Sequence, residues 1–224
     1  LNRLREEPLP FGHADLSLLT QRKRSQSVVK QNPGASLVDL GDGVLAVEFH
    51  SKMNSIGGDT IDMMAKGVKE ASQHFDALVI GNDSPAFSAG ANLMLVLLEA
   101  QEENWDEIDL MIRSFQSAVL NLRYADVPVV VAPAGLTLGG GCEVVLHSDC
   151  AQAAAETYMG LVEVGVGLIP GGGGNLRMIL NAMDSGTGRM GAFQKIQKTF
   201  ETIGFAKVAT GAHEAKHLLS LIHI

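Results

Sequence analysis

Gly135-Leu-Thr-Leu-Gly-Gly-Gly-Cys-Glu143 changes character halfway along. It follows an apolar run at 127–131 that reads as a buried strand, interrupted by Pro128. From its three glycines onward it reads as the start of a helix running through His147. Glycines at 139–141 let backbone come close to a ligand, because no Cβ intervenes. The first turn of a helix leaves N–H groups without acceptors, and its positive dipole end favours an anion there. Glu143 stands in that first turn, so its carboxylate reaches the same spot. A second reading stays open at this point: tight packing of helix on strand, with an acid serving the dipole.

Outward from this stretch, a strand–helix rhythm recurs. Residues 37–40 and 44–49 are apolar and joined by Gly41-Asp-Gly43, a hairpin signal. Ile61, Met64, Val68, Ala71 and Phe75 recur at helical spacing. Residues 77–80 read as a short buried strand and 81–92 as a small-residue loop. One long helix is expected over 102–123, with Ile108, Met111, Phe115, Val119 and Leu122 on one face. Residues 151–155 read as a strand of small residues, 161–174 as a glycine-rich loop, and two or three helices close the chain. Alternating strands and helices predict an α/β fold, with chemistry in loops at the carboxyl ends of strands. No internal repeat of fixed period stands out.

Composition narrows the function. The 224 residues are 46% hydrophobic, enough for one sizeable core, and carry a net charge of -8. That balance argues against a nucleic-acid or anionic-membrane binder. Cys142 and Cys150 form neither a disulfide framework nor a C-x-x-C pair, which fits a reducing, cytoplasmic setting. No apolar run approaches the ~18 residues that span a bilayer, and no secretory signal is visible. Residues 1–36 are polar, broken by Pro8, Pro10, Pro33 and Gly34, and read as a linker. Its Arg22-Lys-Arg24 cluster is expected on a solvated helix. The domain is expected over 37–219. The chain starts at Leu1 and ends Leu-Ile-His-Ile224, so it reads as a piece of a longer protein, with 220–224 a foreign tail.

Two further segments bear on chemistry. Phe87-Ser-Ala-Gly-Ala-Asn92 is a second small-residue loop after a strand, with amides that could face a ligand. Glu163 stands alone in an apolar stretch; it is either exposed or held with a raised pKa, as a general acid requires. Other patterns fail. Gly165-Val-Gly-Leu-Ile-Pro170 lacks the third glycine of a dinucleotide loop, and 171–174 lacks the Lys-Ser/Thr of a phosphate loop. His213-Glu-Ala-Lys-His217 is a literal H-E-x-x-H, yet only His223 follows as a third ligand, so a zinc site is not expected. His13, His50, His74 and His147 form no cluster in sequence.

Taken together, Phe87-Ser-Ala-Gly-Ala-Asn-Leu93, then Gly135-Leu-Thr-Leu-Gly-Gly-Gly-Cys-Glu143, then Gly160-Leu-Val-Glu163 running into Gly167-Leu-Ile-Pro-Gly171, resemble the enoyl-CoA hydratase/isomerase (crotonase) superfamily in order and spacing. The resemblance covers 37–219. It lies nearest the hydratase module of multifunctional fatty-acid β-oxidation proteins that also carry a 3-hydroxyacyl-CoA dehydrogenase. It implies a spiral of ββα turns with outer helices, lacking the family's last helices. Residues 1–36 would trail a preceding dehydrogenase, the one part to need NAD. The implied reaction is hydration of a trans-2-enoyl-CoA, with no metal or resident cofactor. By position, the oxyanion amides fall on Ala91 and Gly140, and the paired acids on Glu143 and Glu163. Ala89, Gly90, Gly139, Gly141, Pro170 and Gly171 would hold the substrate, the adenine lying near Ala89. Met94, Leu97, Trp105 and Met111 are either pocket wall or core. The family often has aspartate where Asn92 stands, and 181–196 resembles an insertion. An isomerase, or a non-catalytic acyl-CoA-binding module in an oligomer or β-oxidation complex, are the alternatives.

Overall fold

A computed structural model describes residues 17–25, 27–184, 191–219 and 221. The hairpin read from Gly41-Asp-Gly43 is present: β2 (Ala35–Gly41) and β3 (Val44–Phe49) pair antiparallel through a two-residue turn. Helix α2 (Gly58–His74) then lays Met63, Met64 and Ala71 onto this sheet. Strands β4 (Ala77–Gly81), β6 (Val129–Val131) and β8 (Cys150–Ala151) extend the sheet in parallel. Leu45, Val47, Leu78, Ile80, Val129 and Val131 are completely buried in it. A parallel sheet buried on both faces reads as continuous apolar runs. That is why these strands were visible in the sequence.

The intervening strands go elsewhere. β5 (Ala86–Ser88), β7 (Gly135–Leu138) and β9 (Thr157–Gly160) form a second, all-parallel sheet in the order β5-β7-β9. The chain thus alternates between sheets, β4 then β5, β6 then β7, β8 then β9. After each pair it leaves as helix: α3 (Leu93–Gln101) and α4 (Trp105–Arg123), then α5 (Gly140–Leu146), then α6 (Gly174–Asp184). This is the expected α/β spiral of ββα turns with outer helices. Helices α7 (Ala192–Gly204) and α8 (Ala212–Leu218) follow. No helix among the described residues is long and apolar enough to cross a membrane.

Several expectations are corrected. The segment 81–92 is not all loop, since β5 lies within it. The helix expected over 102–123 is present as α4, Trp105–Arg123; α3, Leu93–Gln101, was not expected, and the two are parted around Glu103, whose φ is +59°. The strand expected over 151–155 is only Cys150–Ala151, and its successor is β9. The composition shift at Leu37 does not mark where the sheet begins. β1 (Val28–Gln31) pairs with β2, and α1 (Ser17–Arg24) docks on the sheet. Leu19 of α1 packs with Val38 and Ala46, and Lys23 reaches the buried Glu48 at 2.9 Å. The described part of 17–36 therefore belongs to the domain, and the basic cluster is not simply solvated. Residues 1–16, with His13, and most of 220–224, with His223, lie outside the described residues; Leu221 is buried.

Leu78 sits in the middle of the large sheet with no exposed surface. Leu78→Ala is expected to cost about 2–5 kcal/mol through lost burial and a residual cavity. Urea titration of both proteins would measure it, and a change below 1 kcal/mol would place Leu78 outside a close-packed core.

Candidate active site

Two turns, one after β5 and one after β7, meet because those strands pair in register, Ser88 opposite Thr137. Contact is close. A Cβ built on Gly90 would lie 3.0 Å from the Leu138 carbonyl and 3.4 Å from the Gly140 nitrogen. Gly90 (φ +90°) and Gly139 (φ +53°) both adopt left-handed backbone, which L side chains disfavour. Glycine at these two positions therefore lets the turns both form and touch. Gly141 packs against Ser88 in the same contact.

The amides at this junction are unequally used. Ala89 N–H donates to the Met53 carbonyl at 3.2 Å, and Gly139 N–H to the Gly160 carbonyl at 3.0 Å. Gly90 N–H donates to Ser88 Oγ. Ile56 bridges to Ala91 through its own N–H and the Gly90 carbonyl, at 2.8 Å. In a parallel bridge of this kind the facing residue's N–H points away from the partner, which leaves the Ala91 amide unused by it. Gly140 is the first residue of α5, so its N–H has no intrahelical acceptor. Ala91 and Gly140, the expected oxyanion donors, stand in these two neighbouring turns. Ala89, expected at the adenine, has its N–H occupied.

Glu163 lies against this junction, and Glu143 stands on the helix that starts there. Glu143, one turn into α5, is 2% exposed, and its Oε1 accepts the Gly174 N–H at 2.8 Å. Burial pushes its pKa up to about 7; the charge of Glu163 adds to that, while the Gly174 and Gly172 amides oppose it. Glu163 opens a 3-10 turn (Glu163–Val166) and is half-buried. Its Oε1 lies 3.3 Å from where a Cβ on Gly139 would stand. Burial raises its pKa too, against the amides of Glu163 and Val162. Its Oε2 is buried and has no hydrogen-bond partner among the described residues. A buried oxygen without a donor calls for a partner from outside the chain, water or substrate. Of the two sequence readings of Glu163, the raised pKa holds.

Neighbouring groups are silent. Cys142 is completely buried, and burial together with the two glutamates raises its thiol well above the usual range, so it is no nucleophile. His147 bonds the Glu143 carbonyl through Nδ1 at 2.7 Å; burial, with Arg177 and Arg123 nearby, lowers its pKa and favours the neutral ring. In the H-E-x-x-H segment, Glu214 accepts from the Thr210 amide and hydroxyl, and the rings of His213 and His217 meet edge-on at 5.2 Å. No group of three His, Cys, Asp or Glu suited to a metal occurs among the described residues.

Some site features escaped the sequence reading. Phe115 and Ile112 of α4 pack against the 170–174 segment, Phe115 beside Gly140 and Gly172. Gln116 Nε2 donates to the Gly171 carbonyl at 2.7 Å. Phe115 lay on an apolar helical stripe that resembles core, and an exposed Gln116 gives no sequence signal. Pro170 is buried at the head of the segment. Met94, Leu97 and Trp105 are 64%, 50% and 62% exposed, so they are not core. Asn92 caps α3, accepting the Leu95 N–H. Of 181–196, the residues 185–190 lie outside those described.

Comparisons with known proteins give the family and the fold. A profile of the enoyl-CoA hydratase/isomerase family matches residues 39–190. A probable 3-hydroxyacyl-CoA dehydrogenase of Bacillus subtilis is 50% identical over 196 residues, covering 88% of this chain and 24% of that protein. A Rickettsia felis protein described as a fatty acid oxidation complex trifunctional enzyme is 31% identical over 78% of this chain and 26% of its own length. The chain thus spans about a quarter of these two relatives. The fold is that of solved enoyl-CoA hydratases. That of Bacillus anthracis superposes with a TM-score of 0.68 at 22% identity, over 84% of this chain and 68% of that one. That of Thermoplasma volcanium gives 0.70 at 18%, over 86% and 71%.

The raised pKa of Glu143 has a sign in stability. The folded state holds a proton between pH 4.5, where a free carboxyl ionises, and about 7. It binds more protons than the unfolded chain there, so this group's contribution is full below pH 4.5 and falls as pH rises to about 7. Glu143→Gln removes the ionisation and leaves an oxygen for the Gly174 amide. It is expected to be more stable than the parent at pH 8 by roughly 2–3 kcal/mol, with the difference shrinking towards pH 4.5. Denaturant titrations at several pH values would check this; a pH-independent difference would contradict it.

Proposed function

The chain belongs to the enoyl-CoA hydratase/isomerase family, and from that premise we propose that it hydrates a trans-2-enoyl-CoA to a 3-hydroxyacyl-CoA. The observation that carries the reading is two glutamates with raised pKa values, Glu143 buried and Glu163 half-buried, beside the junction of the two turns that hold the Ala91 and Gly140 amides.

In this mechanism the Ala91 and Gly140 amides donate to the thioester oxygen. Electron density moves onto it, C3 becomes electrophilic, and the donors bind the enolate more tightly than the ground-state carbonyl. Each such donor can contribute ~3 kcal/mol to the transition state. One carboxylate of the pair takes a proton from water as its oxygen bonds to C3. The other, protonated, gives its proton to C2. The pair starts and ends with one proton, moved from one carboxyl to the other, and exchange through solvent resets it. Raised pKa values in both groups, with mutual repulsion against double ionisation, favour that singly protonated state near neutral pH. By the family pattern both acids act on one face of the alkene. Fixing water and alkene side by side removes an entropic barrier present in solution. No step needs a resident cofactor.

Exposed Met94, Leu97 and Trp105 supply apolar surface for an acyl tail. The product, a 3-hydroxyacyl-CoA, is the compound class in the name of the Bacillus subtilis relative. In a longer protein of that kind, this domain would feed a dehydrogenase, within a fatty-acid oxidation complex.

Hydration of crotonyl-CoA, followed as loss of the conjugated thioester's absorbance, tests the proposal. Turnover is expected, with Glu143→Gln and Glu163→Gln each lowering kcat by about 10²–10⁴-fold and changing KM little. Parent-like rates in either variant would overturn the assignment. Tight binding of the thioester without turnover by the parent would favour a holding module instead.

A further inference from the structure

Glu143 is held from outside its own helix. Its Oε1 accepts the Gly174 amide at 2.8 Å, and the Gly172 amide also bears on the carboxyl. Both donors belong to the 170–174 segment, a run of Pro-Gly-Gly-Gly-Gly with little intrinsic stiffness. Gly174 opens α6, which anchors that end; the rest of the segment is held by side chains around it. Three contacts do so. Asn175 Nδ2 closes the segment on itself by donating to the Pro170 carbonyl at 3.2 Å. Phe115 fills the space on the α4 side of Gly172. Gln116 Nε2 donates to the Gly171 carbonyl at 2.7 Å, the shortest of these polar ties and the one to another element.

Gln116 lies 55 residues from Gly171 in sequence and is exposed on α4, with no role in the core. We infer that Gln116 is a positioning residue: by tying the Gly171 carbonyl to α4 it keeps the Gly172 and Gly174 amides on the carboxylate of Glu143. This rests on the reading of Glu143 as one of the two acid/base groups. The amides favour the ionised form, so loosening them lets burial dominate and the carboxyl holds its proton to higher pH. Other groups facing Glu143 are unchanged by the substitution: Glu163 from the 3-10 turn, Cys142 and His147 from α5, with Arg123 and Arg177 acting on His147.

The test compares Gln116→Met, which keeps the shape and removes the donor, with Gln116→Lys, which restores a donor. Two readouts are taken. One is the titration of the Glu143 carboxyl by ¹³C NMR in glutamate-labelled protein, assigned with Glu143→Gln. The other is the pH–rate profile with crotonyl-CoA. Gln116→Met is expected to move the Glu143 midpoint to higher pH and lower kcat about tenfold with KM within twofold. Gln116→Lys is expected to return both towards the parent. An unmoved carboxyl titration in folded Gln116→Met overturns the proposal, as does failure of the lysine to restore it. A shifted titration in a protein that does not hydrate the substrate leaves the positioning role standing and removes the hydratase reading.

Discussion

β5 and β7 lie side by side in the small sheet, and the turns that leave them are in contact at Gly90 and Gly139. The site depends on that contact. It sets the Ala91 and Gly140 amides in neighbouring turns, and it puts Glu143 on a helix that starts at the junction. The third strand, β9, enters the same sheet beside β7 and leads within three residues to Glu163, whose carboxylate lies against Gly139. Parallel pairing of three short strands thus delivers the amides and both acids to one place. A side chain at either glycine would require left-handed backbone; at Gly90 it would meet the opposite turn, and at Gly139 the Glu163 carboxylate.

Burying two carboxylates so close together is costly unless protons or donors compensate. Here the compensation is partial. The Gly172 and Gly174 amides serve Glu143, while Glu163 keeps one buried oxygen with no partner among the described residues. A fully satisfied pair would be ionised and inert. A pair with no donors would be fully protonated and could not act as a base. On the proposed reading, such an intermediate arrangement suits addition of water across a double bond, which needs one acid and one base. The cost to stability falls on Glu143, and the large sheet, with its apolar core of Leu45, Val47, Leu78 and Ile80, carries it.

The central strands of the large sheet, β3, β4 and β6, were legible in the sequence because they are almost wholly apolar and flanked by turn signals. The Gly41-Asp-Gly43 hairpin and the helical spacing from Ile61 to Phe75 are of the same kind. The small sheet was not legible. Ala86–Ser88 has three residues, and Gly135–Leu138 begins with glycine, so neither shows a β-branched or alternating pattern. Their pairing is dictated by the spiral, a tertiary constraint. The same holds for β1 and α1, whose polar residues look like a linker until the sheet edge and Glu48 supply partners. The candidate site residues rest on resemblance, since no side-chain chemistry distinguishes Ala91 and Gly140 in the sequence. Phe115 and Gln116 stayed hidden because what they touch is distant in the chain, Gly140 and Gly172 for Phe115 and Gly171 for Gln116.

In the proposed mechanism two carboxyls on one face of the alkene share a single proton and complete the addition together. Hydration of crotonyl-CoA in deuterated water, with NMR of the 3-hydroxybutyryl product, tests this most directly. The account predicts one deuterium at C2 in a single diastereomer, the one in which deuterium and hydroxyl entered from the same face. A mixture of C2 diastereomers, or addition to opposite faces, would contradict it.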